Sequence, residues 1–277
     1  MRIVRTRADL RTALADAPRP VGLVPTMGWL HAGHVSLVER ARTESATVVV
    51  SIFVNPRQFG GAADYAGYPR NEPRDLEACE RAGVDLVFAP TVDEVYPPGF
   101  DTRVSVGAIA GPLEGAARPG HFDGVATVVA ILFALVGAER AYFGLKDYQQ
   151  IQVLRRMALD LALPTEVVPC ETVRETDGLA MSSRNARLSP VGRAAASVLR
   201  RALVAGAVAV RAGTREAETV RAAMLDVLRS EPMAEPDYVS VADPDTLAEL
   251  EAVAGRALLS LAVGIEGVRL IDNERVA

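Results

Sequence analysis

Lysine is nearly absent from this sequence. Its 277 residues include 30 basic side chains, and Lys146 is the one lysine among them. Cysteine is almost as scarce. Cys79 and Cys170 are far apart and fit no metal-binding or redox spacing, which excludes a disulfide scaffold and reads as two thiols in a reducing compartment. Aromatic residues make up 5% of the chain and the net charge is −5. A basic, base-stacking surface is thereby excluded, and nucleic acid is not expected as a partner. No long apolar run is present either. The longest, Val125 to Ala138, is too short to span a bilayer and reads as a buried helix. The first residues, MRIVRTRADLRTAL, lack the apolar core of a signal peptide, so a cytoplasmic protein with no membrane partner is expected. Finally, neither G-x-G-x-x-G nor G-x-x-x-x-G-K-[ST] occurs, which removes the two common nucleotide-binding fingerprints.

What is present is a regular alternation. Apolar runs at 21–25, 46–55, 84–90, 140–144 and 165–170 predict strands, and the segments 34–42, 74–83, 121–137 and 147–161 carry helical spacing. Strands that are apolar on both faces and separated by helices predict a parallel sheet covered on both sides. After about residue 175 the pattern changes. A polar loop leads into two Ala/Arg-rich helices near 190–211 and 214–230, followed by three strands of an antiparallel sheet. The expected organisation is a Rossmann-like α/β domain over 1–175 and a smaller α+β domain over 176–277.

Chemistry concentrates at the carboxyl ends of the predicted parallel strands. The segment PTMGWLHAGH, Pro25 to His34, holds two of the three histidines, three residues apart at a helix start and so on one face. Free N–H groups and the positive dipole end at such a start suit phosphate, and imidazole adds a donor near neutral pH. The alternatives are a zinc pair, though no third His or Cys lies nearby in the sequence, and two incidental surface histidines. MSSRN, Met181 to Asn185, offers two hydroxyls and a guanidinium, the groups that grip phosphate oxygens; alone it could equally be a serine-rich cap. Lys146 follows the strand RAYFG. It could be a solvated lysine, yet a compact ammonium fits between phosphates where a planar fork does not. Three amides, Asn55, Gln58 and Gln150, stand at strand ends where a small polar substrate could be held.

Together these stretches resemble a known family. PTMGWLHAGH, VSIFVNPRQFG, YPRNEPRDL, RPGHFDGV, FGLKDYQQ and TVRETDGLAMSSRN are similar, in order and spacing, to the motifs of the pantothenate synthetase (pantoate–β-alanine ligase) family. They cover about residues 20–190. The resemblance implies an α/β fold of the H-x-G-H nucleotidyltransferase type and a two-step reaction. Pantoate first attacks the α-phosphate of ATP, giving pantoyl adenylate and pyrophosphate. β-Alanine then displaces AMP to give pantothenate. Magnesium and a homodimer are implied as well.

Carried over by position, the resemblance puts ATP against Met27, Gly28, Trp29, Leu30, His31, Ala32, Gly33 and His34. Gly144, Leu145, Lys146, Asp147, Val173, Met181, Ser182, Ser183 and Arg184 complete that set. His34 matches the residue taken as proton donor, while His31, Lys146, Ser182, Ser183 and Arg184 hold phosphates and their developing charge. Gln58, Gln150, Asn55 and Arg118 are expected to bind substrate, with His121 bordering the site, and Asp75 is expected to help place magnesium. Three departures stand out: Trp29 in place of a small residue, Leu145 in place of a glutamate, and Arg57 in place of a methionine. Arg57 is expected to add a charge near the pantoate pocket or to pair at a subunit interface. Two other readings stay open on the residues alone: a nucleotidyltransferase that keeps its nucleotidyl ester, and a nucleotide-binding module without turnover.

Overall fold

The structure, a computed structural model, describes residues 1–277. The chain divides into two compact units. One comprises Met1–Leu145 with Gln149–Glu171, the other Lys146–Tyr148 with Thr172–Ala277.

The first unit is built on a six-stranded sheet of β1 (Arg2–Val4), β2 (Val21–Thr26), β3 (Thr47–Ile52), β4 (Leu86–Phe88), β5 (Arg140–Gly144) and β6 (Glu166–Cys170). Its spatial order is β1-β4-β3-β2-β5-β6, with all pairings parallel. Val21, Leu23, Val24, Val48, Val49 and Val50 are fully buried, as the unbroken apolar runs of β2 and β3 require of strands covered on both faces. The strand order reverses direction between β2 and β5. Loops leaving the carboxyl ends of those two strands therefore frame the crevice where open α/β sheets bind ligands. The helix His121–Val136 is apolar on nearly all sides and buried. It is closed at both ends by left-handed glycines, Gly120 and Gly137.

The second unit pairs helices Val198–Arg211 and Ala217–Arg229 with an antiparallel sheet of β7 (Glu235–Ala242), β8 (Ala257–Ile265) and β9 (Val268–Val276). Leu199, Leu203, Met224, Leu228, Leu259 and Leu261 fill the core between them.

Two expected elements differ in detail. The single helix expected at 190–211 is two, Pro190–Ala195 and Val198–Arg211. At the break the Ser197 hydroxyl donates back to the Ala194 carbonyl at 2.8 Å, the kind of local bond that competes with a helix ladder. The strand expected over 46–55 ends at Ile52. Pro56 has no N–H to extend a ladder, and Asn55 instead caps the 3-10 turn Pro56–Gln58.

Candidate active site

The loop after β2 is held in an unusual backbone conformation. Gly28 has φ of +81° and Trp29, without a glycine's freedom, has φ of +50°. What holds this turn is Asp75, from the helix Glu72–Arg81. Its two carboxylate oxygens accept the N–H groups of Trp29 at 2.8 Å and Leu30 at 2.7 Å. The residue is 1% exposed. A Cβ at Gly28 would lie 2.9 Å from the same carboxylate, so both the positive φ and the packing demand glycine there. The Arg74 guanidinium lies 4.9 Å from the centre of the Trp29 indole, covering it as a cation–π partner.

Asp75, expected to help place magnesium, has a structural task here: each of its oxygens accepts a backbone N–H group, so the carboxylate is a clamp on the loop.

His31 and His34 follow directly. His31 is the N-cap of the helix Ala32–Glu44, and its Nδ1 accepts the Gly33 N–H at 3.1 Å. His34 reaches back so that its Nδ1 accepts the His31 N–H at 3.3 Å. The two rings lie 4.0 Å apart between centroids, tilted by 45°. Their spacing is thus that of a reciprocal capping box, in which two imidazoles replace the usual hydroxyl and carboxylate. With each Nδ1 accepting, the neutral rings carry their protons on Nε2. Two imidazoles are thus fixed at the start of a helix whose first N–H groups, those of Gly33, His34 and Val35, are already taken by His31. Imidazole donors at the positive end of a helix dipole suit an anion.

The amides of the next loop divide into one that can bind and one that cannot. Asn55, 1% exposed, has no hydrogen-bonding capacity left. Its Nδ2 donates to Gln58 Oε1 and to the Gly124 carbonyl, both at 3.0 Å. Its Oδ1 accepts the Tyr96 hydroxyl at 2.8 Å and the Arg57 N–H at 3.2 Å. The expectation that Asn55 binds substrate is therefore corrected: an amide with all four bonds made orients its neighbour instead. That neighbour is half-buried Gln58. With its oxygen fixed, its NH2 group points toward Met27, whose sulfur lies 3.1 Å away. The Gln58 carbonyl is gripped as well, by Arg118 Nη2 at 3.1 Å and by His121 Nδ1 at 2.8 Å. Arg118 and His121 brace the turn that presents Gln58. Gly124 lets that turn lie on the helix His121–Val136, since a Cβ there would come within 2.2 Å of the Arg57 carbonyl.

Arg57 packs its charge against two aromatic rings. Its guanidinium lies 4.7 Å from the ring centres of both Tyr96 and Phe100. Gln150 is half-buried in the first turn of the helix Tyr148–Asp160. The preceding Gln149, which the sequence did not single out, is buried. It accepts the Glu114 N–H at 3.0 Å and donates to the carbonyls of Ile109 and Pro112 at 3.1 and 2.7 Å, which fixes that loop.

In the second unit, Lys146 lies in a 3-10 turn, Leu145–Asp147, that follows β5 directly. Its Nζ is 3.3 Å from the Asp147 carboxylate, and its side chain is 16% exposed against 43% for Asp147. Leu145 is buried, so the departure from glutamate at that position is an apolar packing change. Met181 donates its N–H to the Val173 carbonyl at 3.0 Å. Ser182 caps the 3-10 turn Ser183–Arg187 by accepting the Arg184 N–H at 3.2 Å, while Ser183 is buried. The serine-cap reading of MSSR therefore describes its local structure.

A parallel α/β sheet with a switch point between β2 and β5, and an H-x-G-H pair capping the helix after β2, defines the class of H-x-G-H nucleotide-using α/β enzymes. A family model described as pantoate–beta-alanine ligase matches residues 2–275, and the chain belongs to that family. It is 60% identical over 273 residues to a pantothenate synthetase of Roseiflexus sp. (strain RS-1), covering 99% of this chain and 98% of that protein. Among solved structures, pantothenate synthetase from Thermus thermophilus superposes with a TM-score of 0.95 at 52% identity, covering 99% of each chain. Pantoate–beta-alanine ligase from Francisella tularensis, complexed with beta-gamma ATP and beta-alanine, gives a TM-score of 0.83 at 32% identity, covering 99% of this chain and 97% of that one.

Proposed function

We propose that this chain condenses pantoate with β-alanine, using ATP and passing through a pantoyl adenylate. The observation that carries the reading is the reciprocal cap of His31 and His34, which fixes two imidazoles at a helix start in a member of this family. In the first step a pantoate carboxylate oxygen bonds to the α-phosphorus of ATP, and the bond from that phosphorus to the bridging oxygen of the β-phosphate breaks. Pyrophosphate leaves. His34 is the proton donor toward this leaving group, and His31, Lys146, Ser182, Ser183 and Arg184 hold the phosphate oxygens as charge builds. Such fixed donors act by preorganisation, costing no rearrangement at the moment of reaction.

In the second step the free amine of β-alanine bonds to the acyl carbon. AMP departs with the anhydride oxygen, and the amine loses a proton. Gln58, held by Asn55, Arg118 and His121, presents its NH2 group to pantoate, and Gln150 serves the same substrate. Magnesium belongs to this reading as the counter-ion that ATP brings, and no step is assigned to an ion held by protein carboxylates. A cytoplasmic homodimer is part of the proposal, supported by family membership. No helix is long and apolar enough to cross a membrane.

The test mixes protein, ATP, magnesium and pantoate. Pyrophosphate should appear only with pantoate present, and AMP should follow when β-alanine is added. Pyrophosphate without amine-dependent AMP would replace the reading with a nucleotidyltransferase that keeps its ester, and ATP binding without turnover would replace it with a binding module.

A further inference from the structure

Lys146–Tyr148 belongs to the second unit although its sequence neighbours on both sides belong to the first. The bonds responsible come from far along the chain. Asn273, on β9, donates from Nδ2 to the Lys146 carbonyl at 2.9 Å. The Tyr148 hydroxyl donates to the Pro244 carbonyl at 3.1 Å. Asn273 is itself held. Its N–H donates to Asp272 Oδ1 at 2.8 Å, and its carbonyl accepts Arg174 Nη2 at 3.4 Å. Asp272, with a side chain 1% exposed, forms a two-point ion pair with Arg174 at 2.6 and 3.1 Å. Arg174 also donates to the Gly178 carbonyl at 3.1 Å and bridges to Ala180 across the loop that opens onto Met181.

These contacts converge on two segments, the turn carrying Lys146 and the base of the loop carrying Ser182 and Arg184. A three-residue 3-10 turn is too short to fix its own direction. An amide donor on a strand whose backbone is clamped from both sides can fix it. A buried Arg–Asp pair with further hydrogen bonds is also the kind of group that specifies one geometry at a cost in desolvation. We infer that Asn273, held by the Arg174–Asp272 pair, is a positioning residue that sets where the Lys146 ammonium is delivered during adenylation. The inference rests on the phosphate-binding role proposed above for Lys146.

The experiment is a double-mutant cycle. Pantoate-dependent pyrophosphate release is measured in single turnover for wild type, Lys146→Ala, Asn273→Ala and the double variant, each with a thermal melt. Asn273→Ala should slow the step about tenfold or more, the scale expected when a catalytic group is misplaced by about an ångström. The KM for pantoate should stay unchanged. In the Lys146→Ala background the same substitution should cost less than about twofold, because the two losses share one interaction. Asn273→Asp keeps the shape but turns the donor into an acceptor facing a carbonyl, and should match Asn273→Ala. Equal losses in both backgrounds, or no loss, would overturn the inference. Failure of both Asn273 variants to fold would also overturn it, by making Asn273 a residue of general stability. Near-normal rates for Lys146→Ala alone would instead refute the role of the lysine, a separate outcome.

Discussion

Asp75→Asn isolates what the buried carboxylate does. The side chain keeps its size, but one of its two oxygens becomes an NH2 group. One of the N–H groups of Trp29 and Leu30, now held at 2.8 and 2.7 Å, then faces a donor. A hydrogen bond to a charged group contributes about 1.5–3 kcal/mol, and a buried donor left unpaired adds a desolvation cost of about 1–3 kcal/mol. Trp29 at φ of +50° stores strain that this clamp holds in place. A loss of about 2.5 kcal/mol or more follows for the loop geometry, and at about 1.4 kcal/mol per tenfold that is roughly 60-fold or more in kcat/KM. The assay is pyrophosphate release against ATP concentration, with a thermal melt to show that the variant is folded and magnesium titrated in parallel. A variant within about twofold of wild type would refute the clamp. Recovery of activity with added magnesium would refute it differently, by returning Asp75 to the metal.

Three further outcomes are expected. Lys146→Ala should lose adenylation by several kcal/mol with the fold intact, since a point charge on phosphate oxygens is removed from a partly buried place, and Lys146→Arg should not restore it; steady-state kinetics of both variants decide this. Gly124→Ala should raise the KM for pantoate while sparing that for ATP, because its Cβ would meet the Arg57 carbonyl at 2.2 Å and push away the turn bearing Gln58. Burial pushes the Cys79 thiol up to about 12, with the nearby Asp75 charge adding to it, and pushes Cys170 up to about 11. A raised thiol pKa favours the neutral form, so neither should be alkylated by iodoacetamide at about pH 8 in the folded protein, with labelling beginning only on unfolding or at much higher pH.

The sheet was legible because its central strands announce themselves. Val21–Val24 and Val48–Val50 are unbroken apolar runs, and burial on both faces permits nothing else. β1 announced nothing: Arg2–Val4 is three residues long at the sheet edge, and two of them are exposed. In the site, H-x-G-H was legible as a spacing at a helix start, although that spacing turns out to be a mutual cap. Asn55 and Gln58 looked alike in sequence. They are separated by Tyr96, Gly124, Arg118 and His121, partners that no local pattern reveals. The clamp made by Asp75 was not legible, because the N–H groups it satisfies lie 45 and 46 residues away. Asn273 went unseen for the same reason, at a separation of 127 residues from the carbonyl it holds.

The indole of Trp29 has a consequence of another kind. It is the single tryptophan of the chain, and it sits in the loop after β2 beneath a guanidinium. Excited on the red side of tyrosine absorption, all of the molecule's emission originates at that loop. A shift in colour or intensity on adding ATP would therefore be a label-free optical readout of one turn of backbone, free of background from the rest of the protein.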